Sequence, residues 1–229
     1  MSNFVTRVSD QPSVYTLTQA EMENNATLIY NALSQYGWTL NAIAGALGNA
    51  QAESSINSGA CQQGFGVPSG SGIQYAGGLG FWQWTSTPNA ILWYGVQMGS
   101  NWYDGARQCD FINLADNPWA TQLDTGAMQW GWLQTGTYPI SFQNYKQYAG
   151  TPEDAASIWL YNLERPLDPT ATEAQRRSYA RYWYDYLSGS TPQPPEPPDP
   201  PQPPVPTGKN KAWLYFKFDD LRKGDYERI

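Results

Sequence analysis

The segment Ala42-Ile43-Ala44-Gly45-Ala46-Leu47-Gly48-Asn49-Ala50-Gln51-Ala52-Glu53-Ser54 holds a single ionisable side chain, Glu53, at the end of a run of small and apolar residues. On a helix, at about 100° per residue, Glu53 leaves the apolar face and lines up with Ala46 and Asn49. A carboxyl carried in this way to a partly desolvated cleft wall gains a raised pKa and can donate a proton. Periodicity alone favours the plainer reading, a solvated glutamate at a helix end.

The composition narrows the chemistry further. The chain contains no histidine, so zinc peptidase and amidase sites, and Ser or Cys nucleophiles with a His base, are not available in their usual form. Its cysteines, Cys61 and Cys109, are too few for a disulfide scaffold or a four-cysteine zinc site. They are either a pair or, more in keeping with their number, two buried free thiols. No metal and no cofactor is expected, and hydrolytic chemistry would have to run on carboxylates, as glycosidic cleavage does. The 11 Trp and 16 Tyr exceed ordinary usage. Most of these rings should pack in the core, with some left to stack on sugar faces.

The elements that must position Glu53 read as helices. Thr18 and Glu21 form a capping box for a helix from about Thr18 to Tyr36, closed by Gly37. A second runs from about Thr39 to Ser54, where Gly45 and Gly48 call for close packing against a neighbour. Residues 57–80 hold eight glycines and read as a loop or short hairpin, ending in Gly80-Phe81-Trp82-Gln83-Trp84. Helices resume at Thr87-Pro88, a cap and a first-turn proline, and run to about Met98. Others are expected near 102–115, 141–149, 152–164 (opened by Thr151-Pro152) and 172–187, the last turning Ala180, Trp183 and Leu187 inward. The stretch 117–140 gives no clear pattern. The fold class is therefore mainly α, with one Gly-rich insertion.

Three pieces in this order resemble the phage tail lysozyme family, within the lysozyme superfamily of goose-type lysozymes and lytic transglycosylases. They are Ile43 to Asn57, Gly80-Phe81-Trp82-Gln83-Trp84-Thr85, and Leu163-Glu164-Arg165-Pro166 followed by Arg177 and Ala180. The resemblance spans about residues 15–187. It implies a lysozyme-like helical domain that cleaves the β-1,4 bond between N-acetylmuramic acid and N-acetylglucosamine in peptidoglycan glycan strands, by hydrolysis or transglycosylation. The alternative is a non-catalytic structural or binding protein of the phage tail. Glu53 takes the place of the family's catalytic acid. Gly80-Phe81-Trp82-Gln83 is similar to the family's Gly-Leu-Met-Gln cleft element, so that Gln83 would bond sugar or water and Trp82 or Trp84 would offer a stacking face. For Trp84 a core position is an equal alternative. Glu164 is a lesser substrate-binding candidate, with an anchoring role through Arg165 or Arg177 the stronger expectation. Asp104, Asp110 and Asp124 are the candidates for a second carboxylate, each with an ordinary surface role as the plainer reading.

Charge and composition also divide the chain. Residues 1–206 carry 7 Lys and Arg against 16 Asp and Glu, and residues 207–229 carry 6 against 4. The acidic body argues against nucleic acid as a partner and gains nothing from long-range attraction to an anionic wall. No run of about 18 apolar residues offers a membrane span, and Met1 to Gln11 has no signal-peptide pattern. A cleaving domain at 1–190 is followed by a Pro-rich linker at 191–207. Ten prolines in the 15 positions 192–206 make a spacer of roughly 45 Å at about 3.1 Å per residue. The aromatic segment 208–229 is too short for a core. It reads as a docking peptide for other phage tail proteins, or as the start of a further domain. With the resemblance, the expected location is the virion, at the tail tip or knob, acting outside the host cell at the wall.

Overall fold

The computed structural model describes residues 3–69, 72–85, 89–114 and 131–190. The expected linker and docking segment, most of the 117–140 stretch, Asp124 and the Thr87-Pro88 pair lie outside the described residues. The elements in chain order are α1 (Pro12–Tyr15), α2 (Gln19–Gln35), α3 (Leu40–Ser54), α4 (Ala90–Met98), α5 (Gly105–Ile112), α6 (Phe142–Lys146), α7 (Pro152–Trp159), a π-helical turn (Leu160–Glu164) and α8 (Thr170–Ser188). Among the described residues extended pairing is limited to two isolated bridges, Ser9 with Ala60 and Cys61 with Leu79. The fold is thus mainly α, as expected, and the Gly-rich insertion is a loop pinned by single bridges.

The helix starts follow the chemistry of their caps. Thr18 accepts from Glu21 N while the Glu21 side chain returns to the Thr18 backbone, the full capping box. Thr39, Asn89, Asp104, Ser141 and Thr151 each cap the helix that follows them. Helix α4 begins at Ala90 behind Asn89, a little later than the sequence pattern placed it. Helix α1 was not foreseen: four residues opened by a proline carry no periodic signal.

Helix α3 is the centre of the body. Every position from Ala42 to Ala50 is buried, so the helix is enclosed on all sides rather than amphipathic. Its neighbours are α8, α7, α2 and α6, and its two glycines set how closely α7 and α8 approach. A Cβ on Gly45 would sit 2.6 Å from the Ala155 Cβ, and one on Gly48 would sit 2.5 Å from the Arg176 carbonyl oxygen. The close packing expected of both glycines is present. Gly48→Ala therefore gains helix propensity worth about 1 kcal/mol but drives a methyl into the α8 backbone, an overpacking cost of about 1–3 kcal/mol. A net loss of stability is expected in urea unfolding, and an unchanged or higher midpoint would contradict the packing.

Around α3 the aromatic surplus builds the core. Trp82 lies 5.4 Å from Trp159 between ring centroids, and Trp84 lies 5.4 Å from Phe111. Trp38, Trp132, Phe142 and Tyr145 continue the cluster. The Tyr145 hydroxyl donates to the Ala42 carbonyl at 2.9 Å, one of the polar handles that such rings need when buried. Cys61 and Cys109 are both free and buried, and burial pushes both thiols up in pKa.

Candidate functional site

Glu53 is the penultimate residue of α3, and the chain behind it turns sharply. Ser55 and Ile56 adopt left-handed φ values of 55° and 54°. For a β-branched residue that conformation is costly, and the surroundings enforce it. Ile56 is fully buried, and its carbonyl accepts from the buried Asn25 amide at 2.9 Å. Ser54 couples the helix end to the Gly-Phe-Trp-Gln element, with its Oγ donating to the Phe81 carbonyl at 2.9 Å. Gln108 fixes the same element from the other side. It accepts from Phe81 N at 2.9 Å and donates to the Ser58 and Trp102 carbonyls. Asn57 straps the loop to the N-terminal segment by donating to the carbonyls of Arg7 and Tyr15. Each is a buried amide whose hydrogen bonds replace the regular backbone pairing that the loop lacks.

The Glu53 carboxylate accepts from Arg176 Nη2 of α8 at 2.6 Å. Arg176 is only 6% exposed, and its Nη1 donates to Asn49 Oδ1 at 3.0 Å. The helical face shared by Asn49 and Glu53 is thus the face that meets Arg176. The Glu53 side chain keeps 23% of its surface. Tyr15, at the end of α1, is close enough for the Glu53 charge to help burial raise its pKa.

Glu164 stands beside this group. It ends the π-helical turn, where residues five apart share a face, and Trp159 Nε1 donates to its Oε1 at 2.8 Å. Its carboxyl is pushed up to about 8, first by burial and then by the Glu53 charge, with Arg176, the Trp159 bond and Arg165 opposing. The residue keeps some exposed surface, because it forms part of a pocket wall, but its carboxyl is desolvated. The pocket, about 210 Å³, is lined by Trp82, Gln83, Trp84, Thr85, Leu163, Glu164 and Arg165.

The structure therefore gathers Gln83, Trp82, Trp84 and Glu164 around one pocket, with Glu53 within electrostatic reach of Glu164. Two sequence expectations need correction. Trp82 and Trp84 are 2% and 4% exposed, and Trp82 Nε1 donates to the Ala46 carbonyl. Both rings pack in the core, against the stacking role expected of Trp82 and in line with the core alternative for Trp84, and both residues also line the pocket. Nor does Arg177 anchor Glu164. Arg177 turns to Asp154 at 3.0 Å, and Arg176, one residue earlier, enters the site. Arg165 contributes charge to Glu164 and donates to the carbonyls of Gly131 and Asn162.

Gln83 has a left-handed φ of 46°, and its amide nitrogen donates to the Ala60 and Gly80 carbonyls at 3.1 Å each. Both amide hydrogens are therefore engaged within the protein. Asp104 caps α5, and Asp110 pairs with Arg107 and accepts from the Tyr36 hydroxyl, so the described second-carboxylate candidates have structural partners. Among the described residues no three His, Cys, Asp or Glu side chains come together to hold a metal, and no helix is long and apolar enough to cross a membrane. Arg176 was missed although it had a signal. It lies four residues before Ala180 and seven before Trp183, a cation in the inward stripe of α8.

The sequence is similar to those of known proteins. The chain is 32% identical over 174 residues to Morphogenesis protein 1 of Bacillus phage B103. The matched region is 76% of this chain and 42% of that protein, so the chain spans less than half the length of this relative. The family model for phage tail lysozyme matches residues 24–187, from within α2 almost to the end of α8. The chain belongs to the phage tail lysozyme family.

Proposed function

We propose that this domain is a peptidoglycan-cleaving glycosidase of the lysozyme type, with Glu53 as the catalytic carboxyl that protonates the leaving oxygen of the β-1,4 bond. The observation that carries the reading is a pair of carboxyls in contrasting settings, Glu164 on the pocket wall and Glu53 within electrostatic reach of it. Glu53 is ion-paired to Arg176, and Glu164 is desolvated on the pocket wall with its pKa pushed up to about 8. Paired carboxyls whose surroundings separate their proton affinities are the usual equipment for acid chemistry on a glycosidic bond. Thr85, Gln83 and Arg165 give the pocket the polar lining that a glycan strand needs.

In this reading the protein acts from the virion, as a tail component at the tip or knob, and opens the wall outside the host cell for genome entry. Residues 191–207 serve as the spacer and 208–229 dock the enzyme on other tail proteins. A second reading, a non-catalytic module of the tail, draws support from the name of the B103 relative, a morphogenesis protein, and from the tryptophans being core rather than surface.

Mass spectrometry of purified peptidoglycan after incubation with the chain separates these. Hydrolysis predicts soluble fragments with reducing N-acetylmuramic acid ends. A 1,6-anhydro end would instead make the domain a transglycosylase, and no soluble fragment at all would leave the structural module.

A further inference from the structure

With Trp82 and Trp84 packed in the core, a ring on which a sugar can stack has to stand elsewhere. The Gly-rich loop presents one. Phe65 is 49% exposed and Val67 45%. Phe65 stands between Gly64 and Gly66, whose left-handed φ values of 85° and 71° turn the chain tightly on either side of it. A Cβ at either glycine would meet nothing within 4 Å, so the backbone around the ring faces solvent.

The ring is backed by ordered structure. The Tyr75 ring lies 6.4 Å away between centroids, tilted by 59°. Tyr75 is partly buried against the core, and its hydroxyl donates to the Gly66 carbonyl at 2.8 Å. Gly66 N donates in turn to Asp10 Oδ2 at 3.1 Å. Phe65 N donates to the Gln62 carbonyl at 3.2 Å, and Gln62 Oε1 accepts from Gly78 N at 2.8 Å. A ring held in this way gives up little freedom on binding.

The same segment joins the ring to the pocket. Gly77 touches both aromatic residues: a Cβ there would sit 2.8 Å from Phe65 Cβ and 2.9 Å from Tyr75 Cε1. A Cβ on the next residue, Gly78, would sit 2.8 Å from Oε1 of Gln83, which lines the pocket. The buried Asn89 amide donates to the carbonyls of Gly77 and Trp84, and Asn89 N donates to the Ile73 carbonyl at 2.7 Å. Loop and pocket wall are thus one built unit.

The chemistry of this surface selects its occupant. Residues 57–80 contain no Asp, Glu, Lys or Arg, and the Asp10 bonded to Gly66 is an acid. An anionic lipid surface would find no cation in the loop to meet it. Beside Phe65 in the chain stand the exposed amides of Gln62 and Gln63. A flat ring with neutral amides suits a sugar that carries hydroxyl and acetamido groups. Resting on the glycosidase reading above, we propose that Phe65, backed by Tyr75, is a stacking platform for a sugar of the glycan strand outside the pocket, holding the strand where it runs on from Gln83.

The test measures binding without cleavage. Soluble glycan strands stripped of their stem peptides are titrated by calorimetry into the full chain carrying Glu53→Gln, so that no strand is cut. Adding Phe65→Ala should weaken binding roughly 10-fold, and Phe65→Trp, which restores a ring, should recover the parent affinity. Phe65→Ala keeps the Cβ that meets Gly77 and should still unfold cooperatively. Affinity in Phe65→Ala equal to the parent's, an equal loss in the Ala and Trp variants, or no binding by the folded parent overturns the proposal.

With Glu53 intact, Phe65→Ala should raise the strand concentration for half-maximal cleavage by the same factor and leave kcat within a few-fold. An unchanged half-maximal concentration overturns the proposal as well. Binding that depends on Phe65 in a chain that cuts nothing keeps the platform and removes only the glycosidase reading. Cleavage indifferent to Phe65 does the reverse.

Discussion

Glu53→Gln is expected to lower peptidoglycan cleavage by roughly 10²–10⁴-fold, the contribution of a positioned acid. The variant keeps the shape of the side chain, and the amide oxygen can still accept from Arg176 Nη2. What it loses is the charge that pairs with a guanidinium only 6% exposed, a cost of about 1–2 kcal/mol. Cooperative thermal unfolding should therefore persist at a slightly lower midpoint while cleavage disappears. Activity within a few-fold of wild type would remove Glu53 from the mechanism, and a variant that fails to fold would mean that the ion pair is chiefly structural.

The second large effect is expected at Arg176, which joins α8 to the end of α3. Arg176→Met preserves the apolar stem but leaves Glu53 without its cation and Asn49 Oδ1 without its donor. Breaking one side of a buried pair costs about 3–5 kcal/mol. Because the Glu53 side chain keeps 23% of its surface, the lower end, about 3 kcal/mol, is expected. The loss should also depend on pH through Glu164. Arg176 lowers the pKa of that carboxyl, so removing it lifts the folded value further above the unfolded 4.5. A folded-state carboxyl with a raised pKa binds more protons than the unfolded chain, and its unfavourable contribution grows as pH rises through that window. Urea midpoints of the wild type should consequently level off near pH 8, where the folded-state Glu164 ionises, whereas those of the variant should go on falling above it. A pH-independent difference between the two would show that Arg176 does not act on Glu164.

Much of this was legible because local chemistry and global packing agree. Thr18 with Glu21, Thr39 and Thr151 announce helix starts that α2, α3 and α7 adopt. Gly45 and Gly48 announce the contacts with α7 and α8 that bury α3. The alignment of Asn49 with Glu53 announces the face that meets Arg176.

The failures have physical reasons too. The π-helical turn breaks the 3.6-residue period at Leu160–Glu164, so counting along a regular helix could not show that Trp159 and Glu164 face each other. Trp82 and Trp84 sit in an element chosen for its likeness to a cleft lining. Ring size and the closeness of Trp159 and Phe111 put them in the core instead. Glu164 carries a weaker sequence signal than Glu53, because a sequence shows a carboxyl's neighbours along the chain and not the protein that desolvates it.

The central claim, that this domain cuts glycan strands with the Glu53 carboxyl, is tested most directly by counting new ends. Wild-type chain and Glu53→Gln, each shown to unfold cooperatively, are incubated at equal concentration with purified peptidoglycan, and the fragment ends released are quantified over time. The account predicts steady release by the wild type and almost none by the variant. Equal release by both, or none by a folded wild type, would contradict it.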